Sequence, residues 1–424
     1  MNILIIGSGG REHAIINSIS RSKRCSKIFA LPGNGGTQLL AENVAGDVND
    51  FQLIKKIALK NKISLVFVGP EDPIVNGIYD FFKSDPQLKD INIIAPSKQA
   101  GYLEGSKDFA KDFMEKYKIP TAKHKTFSIE NLDKADKFLE SMKPPYVLKA
   151  DGLAAGKGVL IIQDLHEAKS ELRNMILEKK FGDSSAKVVI EEFLDGIELS
   201  CFVLTDGINY KVLPFAKDYK KIGEGDIGLN TGGMGAISPV PFLDDKFLSK
   251  IQNKIIIPTV NGIIKEKMSY NGFIFIGLIK VKDEPYVIEY NVRMGDPETE
   301  VVFPRLNNDI LELLDSMGTT KFNDIKLSIN NKHAATVILV SGGYPESYEK
   351  EKTISGLNDL SNDLIFHAGT IKKDNTFLTN GGRVLAVTSM AKDFKQALKS
   401  SYSQIDKINF DGMNYRKDIG FDLL

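Results

Sequence analysis

Four apolar, β-branched runs, Ile3–Ile6, Lys27–Leu31, Leu65–Val68 and Ile91–Ala95, alternate with the helix-like stretches Arg11–Ser22, Phe51–Asn61 and Ile74–Lys83. Strands and helices that alternate in this way form βαβ units, and a parallel sheet with helices on both faces follows. Residues 1–104 are therefore expected to form an open, Rossmann-like sheet domain. Ligands of such sheets lie outside the carboxyl ends of the strands, and two motifs stand there. In Gly7-Ser-Gly-Gly-Arg-Glu-His13, the residues Gly9, Gly10 and Arg11 would offer a helix N-terminus to an anion such as phosphate. A tight turn without a ligand is the plain alternative. The dinucleotide fingerprint is incomplete, because its third glycine falls on Glu12 and no acid clearly closes a second strand. That counts against a nicotinamide-dependent oxidoreductase. Gly69-Pro-Glu71-Asp-Pro73 is either a second ligand loop or a rigid acidic turn.

The chain has 424 residues, room for about two to four domains. From residue 105 the pattern changes. Ser106–Lys118 reads as a helix capped by Ser106, and longer strands follow at Tyr146–Lys149, Val159–Ile162, Val188–Glu192 and Glu198–Leu204, separated by Gly-rich loops. This is expected to be an α+β unit over 105–325. Ala334–Val340 then starts a small β-rich domain over 326–424, closed by a helix at Asp393–Asp406. Lys+Arg and Asp+Glu are both 55, so nothing points to nucleic acid or an acidic membrane. The two cysteines, Cys25 and Cys201, lie far apart, which suits a reducing compartment. No apolar run has the length of a membrane span, and Met-Asn-Ile-Leu-Ile-Ile-Gly reads as a first strand, not a leader. A cytoplasmic, monofunctional enzyme is expected.

Residues 286–300 carry most of the chemistry. On a regular strand Tyr286, Ile288, Tyr290 and Val292 would face the core, and Glu289, Asn291 and Arg293 would face the other way. A buried unpaired carboxylate costs several kcal/mol, so this face implies a cation. Mg²⁺ takes few protein oxygens and fills its shell with phosphate and water. Lys149-Ala-Asp-Gly-Leu-Ala-Ala-Gly156-Lys157-Gly158 joins strand to strand. It is no Walker loop; a Gly-rich hairpin flanked by lysines suits phosphates in the manner of kinases. Val188–Leu194, ending in Glu191, Glu192, Phe193 and Leu194, can present backbone groups to an adenine edge, with Glu198 placed for ribose hydroxyls; alone it is an ordinary strand end. Asp218-Tyr-Lys220-Lys221 precedes a long glycine-rich loop, Gly223–Gly235, and long ordered loops tend to be functional. His124, His166, His333 and His367 are isolated, His13 is notable only for lying in the glycine turn, and no Ser/His/Asp or Cys/His set suggests covalent catalysis.

In this order, GSGGREHA, GPEDP, LEGSKDFAKDFM, KADGLAAGKGV, VVIEEFLDG, GLNTGGMGA, EYNVRMGDPETE, HAGT, NGGRVL and RKDIG resemble the glycinamide ribonucleotide synthetases (phosphoribosylamine–glycine ligases), ATP-grasp enzymes of de novo purine synthesis. The resemblance covers essentially the whole chain. It implies that 105–325 is an ATP-grasp unit with a flexible subdomain at about 120–195. It implies the reaction of ATP, glycine and 5-phosphoribosylamine to ADP, phosphate and glycinamide ribonucleotide through glycyl phosphate, by a chain expected to be a monomer. By the same resemblance Lys107, Lys149 and Lys157 contact ATP phosphates, Glu191–Leu194 hold adenine, Glu198 the ribose, and Glu289 with Asn291 the Mg²⁺ (or Mn²⁺). Arg293 would steady the transferring phosphoryl group. Asp218 and Asp296 are candidates for the glycine ammonium or the ribosylamine, and Gly9–Arg11, with Glu71 nearby, for its 5-phosphate side. A sibling ATP-grasp ligase of purine metabolism is the alternative. The family often has histidine where Tyr219 stands and proline where Leu229 stands, and Gly277 falls where many ATP-grasp enzymes have a further metal-binding glutamate.

Overall fold

The computed structural model describes residues 1–154, 157–360 and 364–423. The five strands Glu42–Asn43, Lys27–Pro32, Asn2–Gly7, Leu65–Val68 and Asn92–Ile94 lie in that spatial order, all parallel. Their side chains, alternating between faces, are buried on both: Leu4, Ile6, Val66 and Val68 pack into one apolar cluster, Ile3, Ile5, Leu65 and Phe67 into another. The chain leaves Asn2–Gly7 to one side and returns at Leu65–Val68 on the other, so the switch point of the sheet lies above Gly7 and Gly69. The expected helix Ile74–Lys83 is interrupted. Gly77, at φ 94°, separates Glu71–Val75 from Ile78–Ser84, a left-handed conformation that glycine adopts freely. The boundary expected at Gly101–Gly105 is occupied by a helix, Lys98–Gly105.

Two antiparallel sheets form the middle of the molecule. One has the order His124–Ser128, Lys187–Glu192, Tyr146–Ala150, Val159–Ile162; the other Tyr210–Val212, Ile197–Thr205, Gly272–Val281, Glu284–Asn291. The turn 193–196 connects them. A third sheet, Lys217–Asp218, Gly235–Ser238, His333–Val340, Arg383–Ala391 and Ile365–His367, has helix Phe394–Ile405 packed on it. The stretch 223–235, expected to be a loop, contains half of a β-hairpin, Lys221–Gly223 with Ile227–Asn230.

One expectation about strand Glu284–Asn291 is corrected. Leu278 pairs with Val287 but Gly277 pairs with Glu289, so Ile288 is a bulge. An extra residue reverses the alternation. Val287, Tyr290 and Val292 therefore share the apolar core, while Tyr286 and Ile288 do not. Glu289 and Asn291 still share the opposite face.

Candidate active site

The bulge does more than reverse side chains. It frees the carbonyls of Val287 and Ile288 from the ladder: Thr121 Oγ1 donates to Val287 O at 2.7 Å, and Lys149 Nζ to Ile288 O at 3.4 Å. Lys149, on Tyr146–Ala150, lies beside Glu191 of the neighbouring strand at 3.1 Å, and Lys111 Nζ meets the other Glu191 oxygen at 2.9 Å. All three are nearly inaccessible: Lys111 2%, Glu191 3%, Lys149 5% exposed. Burial works against the Glu191 charge, but the two ammonium groups hold its carboxyl below the usual range. Burial also pushes Lys111 down to about 8 although Glu191 opposes it. Lys111 was missed from sequence. Its signal is the i, i+4 spacing from Lys107 on helix Lys107–Lys116, which places both on one helix face.

Ser106 caps that helix, accepting from Phe109 N at 3.1 Å, and donates to Asp151 Oδ1 at 2.9 Å. The cap thus fastens Lys107 to the end of the Gly-rich hairpin. Burial holds Lys107 below its ordinary value, with Glu289 opposing. On the hairpin, Lys157 is exposed and Gly158 is buried; a Cβ on Gly158 would approach Ala154 Cβ to 2.8 Å. Gly156 lies outside the described residues. Glu192 accepts from Lys123 N at 2.9 Å, whereas Phe193 and Glu198 are exposed.

Glu289 and Asn291 offer only hard oxygens. Gly277 sits opposite Glu289, where a Cβ would come within 3.3 Å of Glu289 Cγ. No cluster of three or more His, Cys, Asp or Glu able to hold a metal occurs among the described residues. An oxygen pair that leaves most positions to phosphate and water is what Mg²⁺ accepts, so these residues fit that ion. Arg293 is anchored beside them. It pairs with Glu104 at 2.8 Å and Glu71 at 3.2 Å, and donates to Asn291 Oδ1 at 3.2 Å. Arg293 holds the Glu71 carboxyl low; burial pushes Glu104 up to about 7 despite the same guanidinium. Glu104 was another residue missed from sequence, three positions before Lys107.

At the switch point the glycine turn is filled from inside. Glu12 accepts from Gly9 N at 2.6 Å, and a Cβ on Gly7 or Gly69 would collide with its side chain. Arg11 is buried at this turn. Its guanidinium is turned inward to Glu12 and Met294 O, and its amide donates to Asp296 Oδ2 at 3.1 Å. Asp296 also pairs with Arg383 at 2.9 Å; Arg383 and Arg11 overcome its burial and keep the carboxyl low. Arg383 comes from the C-terminal sheet and carried no role in the sequence reading. A cavity of about 720 Å³ opens here, lined among others by Ser8, Gly9, Asn34, Asp296, Tyr344 and Arg383. Asp218 forms a separate group: it is buried, bonds Lys220 at 2.7 Å, and Lys220 reaches Glu198 at 3.7 Å. Burial and the Asp218 charge raise Glu298 beside it to about 7.

Comparison with known proteins supplies the class to which this arrangement belongs. The chain matches the phosphoribosylglycinamide synthetase N domain over residues 1–104, the ATP-grasp (A) domain over 105–299 and the C domain over 334–422. It is 44% identical over 419 residues to a phosphoribosylamine–glycine ligase of Caldanaerobacter subterraneus subsp. tengcongensis, covering 99% of both chains. It is 41% identical to the Pseudomonas aeruginosa ligase of the same name, over 99% of this chain and 98% of that one. The crystal structure of phosphoribosylamine–glycine ligase from Thermotoga maritima superposes with TM-score 0.84 at 34% identity, over 99% of this chain and all of the other. Biotin carboxylase of Campylobacter jejuni shares the fold, with TM-score 0.72 at 16% identity over 97% of this chain and 92% of its own. The chain belongs to the phosphoribosylglycinamide synthetase family, the phosphoribosylamine–glycine ligases of purine biosynthesis.

Proposed function

We propose that the chain performs its family's ligation with a division of labour between two regions. ATP lies between the two antiparallel sheets, its adenine against 191–194, its ribose toward Glu198 and its phosphates toward Lys107, Lys149 and the hairpin lysine Lys157. The observation that carries this reading is the convergence of Lys149, Lys107, Glu289 and Asn291 beside the bulge at Ile288. Glu289 and Asn291 would hold Mg²⁺ or Mn²⁺, which supplies positive charge to the phosphates as the γ-phosphoryl leaves.

In the first step a glycine carboxylate oxygen attacks the γ-phosphorus, and the bond to ADP breaks. Arg293, kept in place by Glu104 and Glu71, neutralises the phosphoryl oxygens. In the second step the ribosylamine nitrogen attacks the carbonyl of glycyl phosphate, the C–O bond to phosphate breaks, and the amine proton passes to the departing phosphate. The ribosylamine occupies the cavity between Gly9 and Arg383, with its phosphate toward Gly9 and Gly10. Its amine points toward Asp296, and Asp218 with Lys220 orients glycine. Positioning and charge do the work. Glu289→Ala should lower kcat by about a hundredfold or more with circular dichroism and melting temperature unchanged. Full activity of that variant would remove Glu289 from the site.

A further inference from the structure

The C-terminal segment Arg416–Leu423 grips the back of the segment that presents Asp218 and Lys220. Along Lys217–Lys221 side chains alternate. Asp218 and Lys220 join each other, and Lys220 reaches Glu198. Lys217 and Tyr219 point the other way, and both end on Asp422: Tyr219 Oη donates to Oδ1 at 2.8 Å and Lys217 Nζ lies 3.2 Å from Oδ2. The phenol therefore faces away from Asp218 and Lys220.

Arg416 completes the grip. It is 1% exposed, the largest of the fully buried side chains among the described residues. Its Nε and Nη2 each meet an Asp418 oxygen at 2.8 Å, and Nη1 reaches Lys221 O at 3.2 Å and the Asp226 carboxylate. Asp418 in turn accepts from Gly225 N at 2.7 Å. The guanidinium also lies 5.4 Å over the Tyr219 ring and 5.7 Å over Phe421. One planar fork thus joins the tail, the first hairpin strand and the hairpin turn. A single-point ammonium cannot reproduce that geometry. Tyr402 Oη donates to Arg416 O at 3.0 Å, which ties the tail to helix Phe394–Ile405.

We propose that Arg416 and Asp422 are positioning residues: by clasping Lys217, Tyr219, Lys221 and the hairpin turn, they set where Asp218 and Lys220 meet the substrate. This rests on the reading above that Asp218 and Lys220 face glycine. None of the clasp's direct partners belongs to the Lys107–Lys149–Glu191 group, and its one link toward the nucleotide is the 3.7 Å approach of Lys220 to Glu198.

The test compares Arg416→Gln, Arg416→Lys, Asp422→Asn and Asp218→Asn in the full chain. The quantities measured are kcat, KM for glycine and for ribosylamine, the Kd of Mg²⁺–ADP by calorimetry, and melting temperature. Arg416→Gln should lower kcat/KM for glycine by about tenfold to a hundredfold, the weight of one to two lost charge-assisted bonds, with the Kd of ADP within about twofold. Arg416→Lys should recover part of the loss. Asp422→Asn removes charge with little change of shape and should raise KM for glycine in the same direction, which keeps the test open if Arg416→Gln fails to fold. Unchanged glycine kinetics in both Arg416→Gln and Asp422→Asn would overturn the proposal. So would an equal loss in ADP affinity, because a general loosening of the fold predicts that. A fully active Asp218→Asn would instead sink the reading on which the proposal rests, whatever the Arg416 variants do.

Discussion

At the residue scale the site is a set of buried charges that are legible only in part from sequence. Lys149 was found because it flanks a Gly-rich hairpin, and Glu289 and Asn291 because they share one polar face of an apolar strand. Lys111, Glu104 and Arg383 were not. Their significance lies in partners distant along the chain, Glu191, Arg293 and Asp296, and spacing along one segment does not report such pairs. The histidines show the same limit. His367 read as isolated and His13 only as part of the glycine turn, yet His367 N donates to His13 Nδ1 at 2.8 Å in a buried contact between the first helix and the C-terminal sheet. Burial pushes His13 from 6.5 down to about 3, and His367 from 6.5 down to about 4. In the window from 6.5 down to those values the unfolded chain takes up protons that the native state refuses. Stability from these groups is thus complete above pH 6.5 and falls as pH drops, by up to about 1.4 kcal/mol per pH unit for each. Denaturant melts at about pH 7 and about pH 5 should show the wild type losing up to about 2 kcal/mol more than His367→Gln. Equal losses in the two proteins would remove the histidines as the cause.

At the scale of elements, the strands were readable because buried parallel strands are continuous apolar runs. The helix cap at Ser106 was readable because a hydroxyl satisfies a free N–H. The break at Gly77, the hairpin Lys221–Asn230 and the bulge at Ile288 were not. A bulge at an isoleucine has no compositional mark, and polar glycine-rich sequence suits a hairpin as well as a loop. The bulge makes its own prediction. Because Val287 and Glu289 already pair with adjacent residues, Leu278 and Gly277, deleting Ile288 should leave a regular ladder with Glu289 and Asn291 on the same face. What is lost is the carbonyl that Lys149 meets. The deletion variant should fold, keep its dependence on divalent metal and raise KM for ATP by about tenfold, the value of a hydrogen bond to a charged group. An unchanged KM would show that this carbonyl does not place Lys149.

At the scale of the whole molecule, the order of motifs was enough to indicate the family, while the meeting of distant parts was not. Asp296 is fixed by Arg383, and the hairpin after Asp218 by Arg416. In the proposed reading the C-terminal region thus closes the substrate side of the site, and the middle sheets carry the nucleotide side. Two regions meeting across one strand, Glu284–Asn291, and the turn after it imply that phosphoryl transfer and amine attack occur in one continuous site. Phosphate release from ATP, followed with glycine alone, ribosylamine alone, both or neither, tests this directly. Sustained release should require both substrates and a divalent metal and yield one glycinamide ribonucleotide per phosphate. Release at the full rate without glycine would contradict the account.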